Sequence, residues 1–317
     1  MMDCLTLNER ALRLADEMAA NAGDLRLGVQ TVGGARILDC GIATEGGLQA
    51  GLGLARICMA GLGEVTLAPG TLADLPCPLV QVTTDQPVLA CMASQYAGWQ
   101  IAVDKYFAMG SGPMRAVYGK EELFDHIPGR ERAPAAVGVL ETREPPTEAV
   151  LAFLSERLNL PPEKLTLLVA PTASQAGTIQ VVARTVETAL HKLFELKFDL
   201  RQVVSGFGVA PLPPVAAKDR LAIGRTNDAV LYGGHVVLWV RASDDLLAEI
   251  GPRVPSSSSA DHGAPFTDIF ERYGRQFYKI DPLLFSPAVV TFQNLTSGRT
   301  HTFGRLEVDI LKRSFLG

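Results

Sequence analysis

No apolar run in this chain approaches the roughly 18 residues that a membrane-spanning helix needs, and no block of like charge interrupts it. The first absence argues against a membrane span. The second, with a net charge of −5, removes the usual footprint of a nucleic-acid or anionic-lipid surface. Cysteine is scarce: Cys4, Cys40, Cys58, Cys77 and Cys91 are scattered, odd in number and never arranged as CxxC. They read as small buried apolar side chains. The five histidines (His126, His191, His235, His262, His301) are equally dispersed. Without HxH, HExxH or a Cys/His cluster, the sequence argues against a bound catalytic metal. Hydrolytic chemistry would then run on carboxylates, arginine and ordered water. The N-terminus, MMDCLTLNERALRLADEM, lacks the basic region and apolar core of a signal peptide, so a cytoplasmic protein is expected. It reads instead as a helix, with Thr6 and Glu9 spaced as a capping box.

What is present is ordinary for a folded protein: 317 residues, 47% hydrophobic and 20% charged, with 30 Gly and 20 Pro. That length exceeds one small core and favours two domains. The stretch Arg130 to Pro146, rich in charge and proline, suggests an N-terminal α/β domain over residues 1–130 and a C-terminal one over 131–317, with interleaved segments allowed. Helical and strand patterns both occur along the chain, which supports a class that mixes helices and sheets.

Along the chain, Gly33-Gly34 predicts a hairpin between two β-rich runs. Gly46 to Gly63 matches neither GxGxxG nor GxxxxGK[ST] and reads as a closely packed helix. Leu79 to Thr84 is a predicted strand, followed by a helix from Pro87 through ACMASQYAGWQIA. Ala135 to Leu140 is a buried-strand run ending in Glu141, a carboxylate placed where α/β sheets gather ligands. A helix lies between two Pro-Pro dipeptides. VSGFGVAPLPPVAAKD reads as a Gly/Pro connector, and GRTND as a polar turn leading into a hairpin, AVLYGGHVVLWVRA. Pro255 to Pro265 is the most flexible-looking segment and a candidate loop over a site. A short helix at Phe266–Tyr273, a strand at Pro287–Asn294, a further strand and a terminal helix complete the chain.

The informative stretch is Leu165 to Phe194. An apolar run, Leu165 to Ala170, predicts a buried strand, and after a Ser/Gly turn come about four turns of helical pattern. Ile179, Val182, Val186, Leu190 and Leu193 share one narrow arc. Gln180, Arg184, Glu187 and His191 form a second stripe, which presents an amide, a guanidinium, a carboxylate and an imidazole. Spacing alone favours a solvated ion pair for Arg184 and Glu187. The stripe becomes a site only if the fold buries it. A second polar cluster, Ser111, Gly112 and Arg115 in the Gly-Ser-Gly-Pro turn, suits a phosphate or carboxylate, though such turns are also common loops.

Taken in order, LNERAL, ILDCGIATEGGLQAG, ACMASQYAGW, GSGPMRA, VLETREPP, APTASQAGTIQVVARTVETALHKL, GRTNDAVLYGG, PFTDIFERYGRQFYKIDPLLFSPA and TSGRTHTFG resemble the methenyltetrahydromethanopterin cyclohydrolase family nearly end to end. The resemblance implies an α+β protein of two domains with a pocket between them, assembled as a homotrimer. It implies an enzyme of one-carbon metabolism that adds water to the methenyl carbon of a tetrahydromethanopterin derivative, without metal or prosthetic group. In that reading Glu187 is the general base, Arg184 its neighbour and Glu141 a further acid of the pocket. Ser111, Gly112, Arg115, Ser174, Gln175, Asn227 and Asp228 are candidates for holding the pterin or its tail. The remaining alternatives are a cyclohydrolase for another tetrahydropterin such as tetrahydrofolate, a non-catalytic pterin-binding protein of the same fold, and a generic phosphate-binding domain.

Overall fold

The computed structural model describes residues 6–72, 75–276 and 279–316; Cys4 lies outside them. Two compact units are built from interleaved segments, residues 1–63 with 89–180 and residues 64–88 with 181–317. Residue 130, the boundary suggested by composition, falls inside the first. Each unit holds one six-stranded mixed sheet with helices against it, the α+β class expected.

In the first unit, β1 (Gly28–Val32) and β2 (Ala35–Asp39) form the hairpin expected at Gly33-Gly34, where both glycines take positive φ. The other strands are β7 (Trp99–Val103), β8 (Tyr106–Ser111), β9 (Ala136–Glu141) and β10 (Leu165–Ala170). They run in the order β1-β2-β10-β9-β8-β7, with β2, β10 and β9 parallel to one another. Every residue of β10 is buried. Leu168 and Ala170 pack with α1 (Leu7–Ala20), α3 (Leu48–Cys58) and Ala176 at the start of α6 (Gln175–Val182). Leu165, Leu167 and Val169 face the opposite cluster, with α4 (Met114–Tyr118) and α5 (Glu148–Leu158). A strand covered on both faces needs apolar side chains at every position, which is why this run shows no alternation. Thr6 and Glu9 form the capping box at α1, which ends beside the single turn α2 (Ala22–Leu25).

The long helix expected from Pro87 is shorter. A wide helical segment spans Val88–Gln95, closed by Tyr96 N–H donating to Cys91 O at 2.7 Å, and Trp99 already belongs to β7. The Trp99 ring stacks on Tyr118 at 4.2 Å between centroids, and alternate burial along β7 outweighs the local helical pattern.

In the second unit the strands are β3 (Glu64–Ala68), β6 (Leu79–Thr84), β11 (Val203–Pro211), β12 (His235–Val240), β13 (Val289–Asn294) and β14 (Thr300–Gly304), in the order β14-β13-β12-β11-β6-β3. Two-residue strands β4 (Thr71–Leu72) and β5 (Leu75–Pro76) pair beside them in sequence. The stretch expected as a Gly/Pro connector is β11, which pairs with both β6 and β12. Its glycines are there for packing: a Cβ on Gly206 or Gly208 would stand 2.8 Å from a Val186 methyl of α7 (Thr185–Glu195). Bare backbone lets the helix lie directly on the strand.

The predicted GRTND turn and the hairpin after it are likewise a helix and a strand, α8 (Asp219–Gly233) followed by β12. The polar residues that suggest a turn bond back along the helix instead. Thr226 Oγ1 donates to Ala222 O and Asn227 Nδ2 to Ile223 O, both at 2.8 Å. Then come α9 (Asp244–Ile250), α10 (Phe266–Arg272) and α11 (Val308–Leu316), and both α10 and α11 pack on α8.

The serine-rich segment, expected as a mobile loop, is pinned. Ser256 N–H donates to Pro287 O at 3.0 Å, and Ser259 Oγ to Asp281 Oδ2 at 2.6 Å. Ser258 Oγ accepts from the buried Lys192 Nζ at 3.0 Å.

Candidate active site

At the C-terminal ends of the parallel strands β9 and β10, Glu141 meets the loop leading into α6. Glu141 is half-buried, and its Oε1 accepts a hydrogen bond from the Thr172 hydroxyl. Thr172 is itself fixed, since its carbonyl accepts from Thr178 Oγ1 at 3.0 Å. Ser174 starts the helix: its Oγ accepts from Gly177 N–H at 3.0 Å and donates to Pro171 O at 2.8 Å. That is the bonding of a helix-capping serine. Gln175, the first residue of α6, is exposed. A narrow pocket here is lined by Leu54, Val139, Glu141, Ala170, Gly177 and Gln180 among others. Gln180 is only 3% exposed, and its Oε1 has no hydrogen-bond partner among the described residues.

The single helix expected after the Ser/Gly turn is two, α6 and α7, with Ala183 and Arg184 between them. Arg184 N–H donates to Val181 O, a tight three-residue turn, and the Thr185 hydroxyl occupies Val182 O at 2.7 Å. A side-chain donor at that carbonyl competes with the helical ladder and ends it. The five residues of the apolar arc are all buried. Gln180, Arg184 and Glu187 of the polar stripe are buried too, with Arg184 7% and Glu187 4% exposed, so the solvated ion pair favoured by spacing is not what forms. Arg184 is the N-cap of α7 and Glu187 lies in its first turn, where free N–H groups favour negative charge. His191 is half-buried, 3.7 Å from Glu195. Burial holds its pKa below the usual imidazole value, and Glu195 opposes that shift.

Ser111, Gly112 and Arg115 form one tight structure in the first unit. Ser111 is buried at the end of β8, its Oγ 3.3 Å from Val139 O and from Cys58 Sγ. Gly112, at φ +87°, donates its N–H to Ser94 O at 2.8 Å. Arg115 is fully buried. Its Nε and Nη2 grip Glu121 at 2.9 and 2.6 Å, and Nη1 donates to Met92 O at 2.9 Å. Tyr96 and Phe124 flank the guanidinium at 5.0 and 5.6 Å. Its charge is thus balanced by Glu121 and by the end of the wide helical segment.

The cyclohydrolase (MCH) family profile matches residues 6–315. The chain belongs to that family. It is 50% identical over 290 residues to the methenyltetrahydromethanopterin cyclohydrolase of Rhodopirellula baltica, covering 90% of this chain and 87% of the relative. The enzyme of the same name from Methylobacillus flagellatus is 44% identical, with 98% and 95% covered. That of Methanococcoides burtonii is 40% identical, with 98% of each chain covered.

Within this cyclohydrolase fold, Asn227 and Asp228 sit in mid-helix rather than on a turn. Asn227 is half-buried, its amide bonded to its own helix. Asp228 is fully buried, and its Oδ1 accepts from Phe266 N–H at 2.8 Å, at the start of α10. Burial raises the Asp228 pKa to about 7, with the Ser314 and Phe266 hydrogen bonds opposing the shift. The structure therefore groups Glu141 and Ser174 at one sheet end, and Arg184 with Glu187 at the start of α7. It places Ser111, Gly112 and Arg115 in a separate network and Asp228 under α10. Thr172 is a further residue of the Glu141 end that sequence reading passed over; a Thr in a Pro-Thr-Ala-Ser turn gives no local sign that it will meet a carboxylate. Among the described residues no group of three or more His, Cys, Asp or Glu side chains is arranged to hold a metal ion. Nor is any helix there long and apolar enough to cross a membrane.

Proposed function

We propose that the chain hydrolyses methenyltetrahydromethanopterin to the N-formyl derivative, reversibly, as a methenyltetrahydromethanopterin cyclohydrolase of one-carbon metabolism. The observation that carries this reading is the burial of Arg184 and Glu187 in a chain of this family. Two charged side chains taken out of water at a helix start are expensive to keep without a use for them.

The methenyl carbon lies between two nitrogens and carries delocalised positive charge, so it is electrophilic without further activation. Water adds to it as Glu187 takes one proton, giving a neutral carbinolamine. Glu187 then returns that proton to the leaving ring nitrogen as the C–N bond breaks. The hydroxyl proton is released and the formyl group forms, for a net gain of water and loss of one proton. Arg184 orients the water and the nascent formyl oxygen, and Glu141 adds negative charge that attracts the cationic substrate. Ser174, Gln175, Asn227 and Asp228, with the loop set by Ser111, Gly112 and Arg115, are the proposed pterin-holding positions. The enzyme uses no prosthetic group in this reading, and works as a homotrimer in the cytoplasm.

The test is to add the purified protein to methenyltetrahydromethanopterin and, separately, to methenyltetrahydrofolate, and to follow loss of the amidinium absorbance with a chelator present. Rapid hydrolysis of the methanopterin form is expected. Hydrolysis of the folate form alone would move the assignment to the other cofactor, and tight binding with no turnover of either would leave a pterin-binding protein. Light scattering in the same buffer reads the trimer.

A further inference from the structure

We infer that Lys192 is a positioning residue for Glu187: it ties α7 to two neighbouring turns and so fixes the helix that carries the proposed base. The role rests on the reaction proposed above. Lys192 is fully buried. Its Nζ donates to Ser258 Oγ at 3.0 Å and to Leu283 O, on the short turns Ser256–Ser258 and Pro282–Leu284. Those turns are also joined to each other, since Asp281 accepts from Ser259 Oγ at 2.6 Å and from Leu283 N–H at 3.0 Å. The lysine and the two turns therefore close one circuit of hydrogen bonds.

α7 needs such a tie. It starts anew at Thr185, so no continuous helical ladder carries it in from α6. Val186 rests on the bare backbone of Gly206 and Gly208. That contact sets a distance, but apolar contact is non-directional and does not stop the helix sliding or turning. The Lys192 bonds are directional and charge-assisted. They act six residues further on, about 9 Å along the axis, and two fixed points define a rod. A methionine would fill the space without the cost of burying an ammonium, but would leave the second point unfixed.

The electrostatics give this tie a pH signature. Burial pulls the Lys192 pKa down to about 8, with Asp281 opposing the shift and Arg253 adding to it. Asp261 stands behind Asp281, accepting its N–H at 3.2 Å. β11 carries no ionisable side chain. His191 on α7 and His235 on β12 are both held below the usual imidazole value by burial, so they titrate below 8. As pH rises through about 8 the ammonium becomes an amine, which donates more weakly. Stability moves the other way. A lysine whose pKa is lower folded than unfolded favours the folded chain increasingly as pH climbs above 8. Activity lost without stability lost is what a positioning role predicts.

The experiment follows kcat and KM for methenyltetrahydromethanopterin, corrected for the uncatalysed reaction, between about pH 6 and 9.5, with thermal melts at each pH. Wild-type kcat should fall by about three- to tenfold between about pH 7 and 9, with KM within about threefold and the melting temperature unchanged or higher. Ser258→Asp sets a carboxylate beside Nζ at an exposed position and should move that fall up by about one pH unit. Ser258→Ala removes an acceptor and should move it down. Lys192→Met should lower kcat about tenfold at pH 7 and flatten the profile. If that variant does not fold, the Ser258 pair decides. A fall that stays put in both Ser258 variants overturns the inference, as does Lys192→Met with wild-type kcat. A melting temperature that drops together with kcat makes Lys192 a merely structural residue and overturns it too. Wild type without turnover, or Glu187→Gln with full turnover, removes the parent reading. An active wild type that depends on Glu187 but ignores Ser258 removes only the role of Lys192.

Discussion

Thr172 gives its hydroxyl hydrogen to Glu141, and Thr178 in turn fixes Thr172 by bonding to its carbonyl. One oxygen of the carboxylate is thereby held in place. Thr172→Val keeps the shape and removes the donor. The expected result is a fall in kcat of roughly tenfold, the scale of one hydrogen bond to a charged group. The melting temperature should change little. Steady-state kinetics and a thermal melt on the same sample read both.

Glu187→Gln removes the proposed base while preserving side-chain volume. Turnover should drop by about 10²- to 10⁴-fold, the usual contribution of a positioned general base, while the methenyl substrate still binds. Equilibrium titration of the variant with substrate checks the second part. Retained wild-type turnover would remove Glu187 from the mechanism.

Asp228 carries a pH prediction. Its carboxyl titrates at about 7 in the folded chain and near the ordinary carboxylate value when unfolded. Between those values the folded form holds the extra proton, so this group's contribution to stability is greatest at acid pH and is lost as pH rises toward 7. Asp228→Asn keeps the acceptor for Phe266 N–H and stays neutral. The variant should be more stable than wild type at pH 8, by about 1–4 kcal/mol, with the gain shrinking toward pH 4. Denaturant melts across that range measure it, and a constant difference would show that Asp228 is not the titrating group.

The contact of Val186 with β11 sets a fourth test. Gly208→Ala places a methyl 2.8 Å from a Val186 methyl and should destabilise the protein by about 1–3 kcal/mol. It should also lower kcat, because the next residue of α7 is Glu187. Val186→Ala alone opens a cavity, but combined with Gly208→Ala it should restore part of both losses. A double-mutant cycle with no coupling would show that the two residues do not press on each other.

Much of the fold could be read because local pattern and tertiary environment agree. β10 is continuously apolar since both its faces are covered, and Glu141 ends β9 where the sequence placed it. Elsewhere they disagree. β11 looks like a connector because its glycines make room for the preceding helix, α7, which folds back onto the strand. The residues Gly224 to Asp228 look like a turn because their side chains can bond backbone, and in α8 they do so within the helix. The same gap limits the reading of the site. Arg184 and Glu187 could be named from spacing, but only the fold tells that they are buried. Arg115 looks like an anion-binding arginine until Glu121, six residues further on, closes around it.

The interleaving of segments has a consequence for synthesis on the ribosome. β6 belongs to the second unit, yet its neighbour β11 is made more than a hundred residues later. Elongation proceeds at about 5–20 residues per second, so the β3–β6 pair waits for several seconds with one edge uncovered, while the first unit acquires all its strands. Such an edge is a template for pairing with another nascent chain. Crowded polysomes, rather than the finished protein, are therefore where this fold is most exposed to aggregation, and slower elongation beyond residue 84 would lengthen the risk.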